Sequence, residues 1–172
     1  SLEVTGTTFV SDTPSTTGQA ISFDGNGRVR ITHSPSLAIN DNLTVSFWMK
    51  AVQGQPGGYT RPMSKGGSPG WEFQQAGAGN ELDYRVDTSA GANQVRGNMA
   101  GVFDNNWHHI SITLSSAGQG ISYVDGTAIA TQTFSFGAGF SNSADFTIGS
   151  RNNGGNSYDG IIDDVAIFDQ VL

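Results

Sequence analysis

Near the end of the chain two adjacent carboxylates, Asp163 and Asp164, interrupt an apolar run, Ile161-Ile162-Asp163-Asp164-Val165-Ala166-Ile167-Phe168. Side chains alternate along a strand. Asp163 therefore shares a face with Ile161, Val165 and Ile167, and Asp164 shares the other with Ile162, Ala166 and Phe168. A carboxylate set among hydrocarbons requires a cation or hydrogen-bond donors. Two arrangements meet that need: acids at a sheet edge in contact with water, or a metal ion held at the sheet margin.

A second group of residues could grip a polyhydroxylated ligand. The rings of Tyr59, Trp71, Tyr84 and Tyr158 stand in or beside the stretches 53–70, 87–97 and 150–158, with Arg61, Arg85, Arg96, Arg151, Asn152, Asn153 and Asn156. Rings stack on the apolar faces of sugars, while amides and guanidiniums meet hydroxyls. For each polar member the plain alternative is solvation, because loops are polar in any fold. Trp48 and Trp107 fall inside strong strand patterns and are assigned to the core. His108 and His109 are neighbours on a strand, point to opposite faces and cannot chelate one ion together. His108 alternates with Ile110, Ile112 and Leu114 and reads as a packed, hydrogen-bonded side chain. No G-x-S-x-G phrase occurs, and Gly66-Gly67-Ser68-Pro69-Gly70 reads as a turn, with no Lys or helix after it to make a phosphate loop.

The elements that must carry these groups are strands. Gly is abundant, at 24 residues, charged residues are only 13% of the total, and no convincing helical periodicity occurs. Residues 1–19 are polar and read as irregular. Asp24-Gly25-Asn26-Gly27 reads as the tight turn of a hairpin between Ala20–Phe23 and Arg28–Ile31. Leu43–Lys50 alternates clearly, with Leu43, Val45, Phe47 and Met49 on one face. Strands are also expected around Arg61–Ser64, Trp71–Gln75, Glu81–Val86, Met99–Phe103, Trp107–Leu114 and Phe146–Gly149. Asp125-Gly126 marks a type I′ hairpin between Ile121–Val124 and Thr127–Gln132. About a dozen short strands with frequent turns predict two packed antiparallel sheets or a barrel, in one domain over 1–172.

The formal net charge is -7, and the 8 Lys and Arg form no run. Nucleic acid and anionic membrane are poor partners on electrostatic grounds, and neither is expected, whereas divalent cations suit an acidic surface. With no Cys there is no disulfide framework, zinc–thiolate site or thiol chemistry. The composition is compatible with bacterial secretion. The chain opens on Ser1 and is expected to be a domain taken from a larger secreted or cell-surface protein.

Five phrases in order carry a resemblance: Ala20-Ile21-Ser22-Phe23-Asp24-Gly25; Leu43-Thr44-Val45-Ser46-Phe47-Trp48-Met49-Lys50; Trp107-His108-His109-Ile110; Tyr123-Val124-Asp125-Gly126; and Gly160-Ile161-Ile162-Asp163-Asp164-Val165-Ala166-Ile167-Phe168. From about residue 18 onward the chain resembles the laminin G-like domains of the concanavalin A-like lectin/glucanase superfamily. The resemblance implies a jelly-roll β-sandwich whose first and last strands pair, placing the Asp24 turn near Asp163. It also implies a calcium ion there, with Asp163 as side-chain ligand, then Asp24 and Asp164, and backbone carbonyls completing the shell. The alternative for Asp24 is that it caps its own turn. Laminarinase-type hydrolases of the superfamily carry E-x-D-x-x-E or E-x-D-x-E on one strand. Here Glu81-Leu82-Asp83 begins that phrase, but Arg85 and Val86 stand where the second Glu is needed. The pair required for retaining hydrolysis is incomplete.

The expected function is a noncatalytic, calcium-stabilised carbohydrate-binding module. It would hold a polysaccharide or glycan, with a catalytic domain in the same chain as a possible partner. The alternative is an adhesion or structural module that binds protein on a cell or virion surface.

Overall fold

The computed structural model describes residues 1–55, 58–75, 77, 79–91 and 99–172. The described strands are β1 (Leu2–Val10), β2 (Ala20–Ile31), β3 (Leu43–Lys50), β4 (Met63–Lys65), β5 (Gly70–Gln75) and β6 (Glu81–Asp87). They continue with β7 (Met99–Ala100), β8 (His108–Ser115), β9 (Gln119–Val124), β10 (Thr127–Thr133), β11 (Phe146–Ile148) and β12 (Asp159–Phe168). The hydrogen-bonded order is β10-β9-β8-β3-β12-β2-β11-β4-β5-β6-β7, and β1 runs along β2.

Strand β2 belongs to both layers of the sandwich. Its first half, Ile21–Asp24, pairs with β12, and its last residues, Val29–Ile31, pair with β11. The layer β10-β9-β8-β3-β12 therefore turns through β2 into the layer β11-β4-β5-β6-β7. The result is a jelly-roll β-sandwich. The sequence predicts a hairpin turn at Asp24–Gly27, but the chain runs through it as one strand of 12 residues. The Gly residues serve a bend instead. Gly6 has φ +61 and sits at a bulge of β1, and a Cβ on Gly27 would lie 2.0 Å from the Gly6 carbonyl oxygen. Only a hydrogen at position 27 lets β1 follow β2 around the corner.

Strand β1 corrects a second expectation, since residues 1–19 read as irregular. Its Thr residues are good strand formers, but it is an outer strand with little burial, so its sequence shows no inside-outside alternation. The Asp125-Gly126 turn is as expected: φ is +50 and +78, the left-handed pair a type I′ hairpin requires.

The core lies between the layers. Leu43, Val45, Phe47 and Met49 of β3 and Ile110, Ile112 and Leu114 of β8 meet Trp71, Phe73, Leu82, Tyr84 and Val86 of β5 and β6. Phe47 and Phe73 touch edge to face at 5.0 Å across the interface. Burying side chains of this size contributes about 1.5–3 kcal/mol each. Trp48 and Trp107 are not in this core. Trp48 points outward with Ser46 and Lys50, half-buried, and stacks on His109 at 5.2 Å. The alternation of β3 already placed Trp48 on the face opposite Phe47.

Candidate functional site

Strands β4, β5 and β6 turn a polar face away from the core. Their register sets Thr147, Ser64, Glu72 and Arg85 in one line across four strands, because Phe73 and Tyr84 occupy the inner face. Glu72 is 2% exposed. Arg61 meets both of its oxygens, with Nη2 donating to Oε1 at 3.1 Å and Nε 3.1 Å from Oε2. Arg151 donates through Nε to Oε2 at 3.4 Å, and Arg85 Nη1 lies 4.0 Å from Oε1. Arg85 in turn forms a two-pronged bond with Asp87, at 3.0 and 2.7 Å. That carboxylate holds the Arg85 guanidinium above its usual pKa. Three guanidiniums here meet two carboxylates, and their planar forks fix the loops that carry Arg61 and Arg151.

Beside the cluster a depression of about 280 Å³ is lined by Ser64, Gly66, Gly67, Arg151, Asn152 and Asn153. One wall is the turn after β4. Lys65 Nζ donates to the carbonyls of Asn142 and Ala144 at 3.2 and 2.6 Å, and Asn142 Nδ2 returns bonds to the carbonyls of Lys65 and Pro69. Burial lowers the Lys65 pKa. The other wall is the 151–155 turn, closed by Arg151 N to Gly155 O at 2.9 Å and Gly154 N to Arg151 O at 2.8 Å. Asn152 joins the walls: its Oδ1 accepts from Ser64 Oγ and Gly66 N, and its Nδ2 donates to Asp145 O. Asn153 is exposed, and only its Oδ1 is used, accepting from Gly155 N at 3.0 Å. The arrangement offers a guanidinium edge and an amide to a ligand on a rigid polar floor.

Of the residues expected to meet a ligand, Arg151, Asn152 and Asn153 come together here. Tyr59 is 53% exposed and does not line the depression. Arg61, Trp71, Tyr84 and Tyr158 are corrections, because all four are buried. Arg61 is taken up by Glu72 and Gln74. Trp71 packs at 5.7 Å on Phe146 and 6.4 Å from Phe73. Tyr84 projects through the core to β9, where a Cβ on Gly120 would sit 2.5 Å from its hydroxyl. Tyr158 packs against Phe23, and burial raises the pKa of both phenols. Arg96 lies outside the described residues.

The acid constellation is also rearranged. Asp24 pairs in register with Asp159, which leaves Asp163 four positions further along β12, about 13 Å away at strand spacing. Asp24 Oδ1 accepts from Asn26 N at 3.0 Å, capping its own bend, and Asp163 Oδ1 accepts from Asp164 N at 2.9 Å. Asp164 has φ +47 at a bulge of β12. The cavity at Asp163 and Asp164 is otherwise lined by Gln19 and by the hydrocarbon side chains of Phe9, Ile21, Phe23, Ile148, Ile162 and Val165, so it supplies few side-chain oxygens for a cation. Among the described residues no group of three or more His, Cys, Asp or Glu side chains is arranged to hold a metal ion. Asp24, Asp163 and Asp164 do not fit a shared calcium ion, which takes six to eight oxygens.

Two further clusters have partners that the sequence reading did not supply. His108 begins β8 at the end of the apolar row, opposite Met49, and is hydrogen-bonded as expected, between Asp125 (Nδ1 to Oδ2, 2.8 Å) and Asp104 (Nε2 to Oδ1, 3.1 Å). Partial burial pulls its pKa down, but the two carboxylates outweigh this and the net shift is upward. Asp12 receives Lys50 Nζ at 2.7 Å and the Trp107 indole N–H at 2.9 Å. These bonds span 38 and 95 residues, and no local pattern announces them.

Comparison with known proteins agrees with this fold. Residues 23–172 match the model of the family Laminin_G_3, described as the concanavalin A-like lectin/glucanases superfamily, and the chain belongs to that family. A search of curated protein sequences finds no match. Among solved structures, the binding domain of Paraclostridial mosquitocidal protein 1 is similar with a TM-score of 0.81 and 19% identity, over 100% of this chain and 44% of that one. The binding domain of botulinum neurotoxin DC is similar in two complexes, each over 100% of this chain. The one with SialylT has a TM-score of 0.73, 20% identity and 43% of that chain covered. The one with rat synaptotagmin II has 0.72, 20% and 44%. The chain thus spans less than half the length of these domains.

Proposed function

We propose that this domain is a noncatalytic glycan-binding module, secreted or held at a bacterial cell surface, and that it takes the hydroxyls of a polysaccharide at the depression beside Asn152. The observation that carries the reading is the pairing of the Glu72 cluster. Its oxygens are occupied by guanidiniums, so the face presents donors that hold a ligand rather than an acid and a base that cut it. Glu81 and Asp83 share that face without the second Glu that hydrolysis needs. Family membership supports a lectin-like role, as does the fold shared with a toxin domain seen with SialylT. A catalytic domain elsewhere in a longer chain would gain local concentration of substrate from it.

Polysaccharide-affinity gels and a glycan array test the reading. The Arg151→Ala, Asn153→Ala double variant should lose at least about tenfold in retention, or about 1.4 kcal/mol, while remaining folded at a lowered melting temperature, because Arg151 also pairs with Glu72. Absence of glycan retention together with specific capture of a protein would favour a protein-adhesion module. That second reading draws on Leu2, Val4 and Phe9, exposed along β1, and on the neighbour solved with synaptotagmin II.

A further inference from the structure

The opposite layer carries a second concavity that the reading above does not use. Register places Ala166 of β12, Ser46 of β3, Ser111 of β8 and Tyr123 of β9 in one row across four strands. The row faces outward, because Val45, Phe47, Ile110 and Ile112 fill the core side. Its first three members are small, and larger side chains stand on either side. On one side His109 stands braced by Trp48, and on the other stands Phe168. A trough of about 290 Å³ results, roughly 14 Å long at interstrand spacing, closed at one end by Tyr123.

We propose that this trough is a binding site for a neutral pyranose ring. Its floor is made of hydroxyls without partners. The hydroxyls of Ser46 and Ser111 make no hydrogen bond among the described residues. Thr113, only 5% exposed, also makes none, although it lines the trough. None of the three oxygens is among the fully enclosed partnerless atoms, so they open into the trough. A buried hydroxyl left unpaired is unfavourable, and a ligand or water must meet it. The walls are the rings of His109, Tyr123 and Phe168 together with Leu172 and Thr44, and no Asp, Glu, Lys or Arg side chain lines the site. An ionic ligand would find no counter-charge there, and a purely apolar one would leave the hydroxyls unsatisfied. A sugar ring, with an apolar face and an equatorial belt of hydroxyls, satisfies both surfaces. The site is independent of the depression beside Asn152, which lies on the other layer.

Amide-resolved NMR titration tests this with neutral glycosides: methyl glucosides, galactosides and mannosides, cellobiose, laminaribiose and lactose. At least one should give saturable shifts at Ser46, Ser111, Thr113 and Tyr123. Ser111→Tyr fills the trough on a strand that favours aromatics and should abolish those shifts. Ser111→Ala, which removes only the hydroxyl, should weaken binding about tenfold or less at unchanged melting temperature. Arg151→Ala should leave the trough shifts intact. The proposal is overturned if no member of the panel moves these resonances, if shifts persist in the folded Ser111→Tyr protein, or if sugars move only resonances around Asn152. The last result would leave the first site standing alone.

Discussion

Replacing Glu72 by Gln tests whether the charged face of β4, β5 and β6 is held by its central carboxylate. The substitution keeps shape and volume and removes one charge. Glu72 and Arg61 have side chains 3% and 6% exposed, so water cannot replace the lost partner. Removing one member of a buried ion pair costs about 3–5 kcal/mol, mostly the penalty of the uncompensated charge. For a domain of this size each kcal/mol lowers the melting temperature by about 2–4 °C, which gives a fall of roughly 6–20 °C. Differential scanning calorimetry of Glu72→Gln, Arg61→Gln and the double variant measures it. Because the two groups touch, the double variant should be less destabilised than the sum of the singles by about 0.5–3 kcal/mol. A fall below about 2 °C in Glu72→Gln, or strict additivity, would refute the view that this pair anchors the face.

Other outcomes follow from separate contacts. Gly27→Ala places a methyl 2.0 Å from the Gly6 carbonyl oxygen and should cost at least about 1–3 kcal/mol by denaturant titration. Gly67→Ala, where a Cβ meets nothing within 4 Å, should be silent. His108 has a folded pKa raised above its ordinary 6.5, so its stabilisation is full below that value and fades as pH rises through the folded value. Melting temperatures from about pH 6 to 8 should therefore show a decline that Asp125→Asn reduces. Calcium or a chelator should shift the melting temperature by less than about 1 °C, and a rise of several degrees with calcium would show that an ion is held by a ligand set other than the three Asp side chains.

The architecture was legible where burial imposes a period of two. Leu43 to Met49 and Leu82 to Val86 announce their inner faces, and Asp125-Gly126 announces its turn. Legibility failed where one short motif serves two geometries. Asp24-Gly25-Asn26-Gly27 carries the residues of a hairpin turn, yet those residues also permit a bend inside one strand, and only β1 packed alongside decides between them. The site was half legible. Asn152 and Asn153 lie in an obvious loop and stay at the surface. Trp71, Tyr84 and Tyr158 have the chemistry of sugar-stacking rings, but aromatic identity does not say which way a strand faces. The serines and threonine of the outer trough carried no signal of their own, because their meaning comes from the tall neighbours that register brings beside them.

The position of β12 has a consequence for how the protein is made. This strand lies between β3 and β2 in the finished order. Until residues 159–168 leave the ribosome, the nascent chain holds two unpaired interior edges. It cannot close its sandwich by synthesis from the front, so the step that completes it spans well over a hundred residues. Such long-range closure slows folding and exposes sticky edges meanwhile. A translating ribosome stalled before this strand should therefore display a chain that binds chaperones, and emergence of β12 should end that binding.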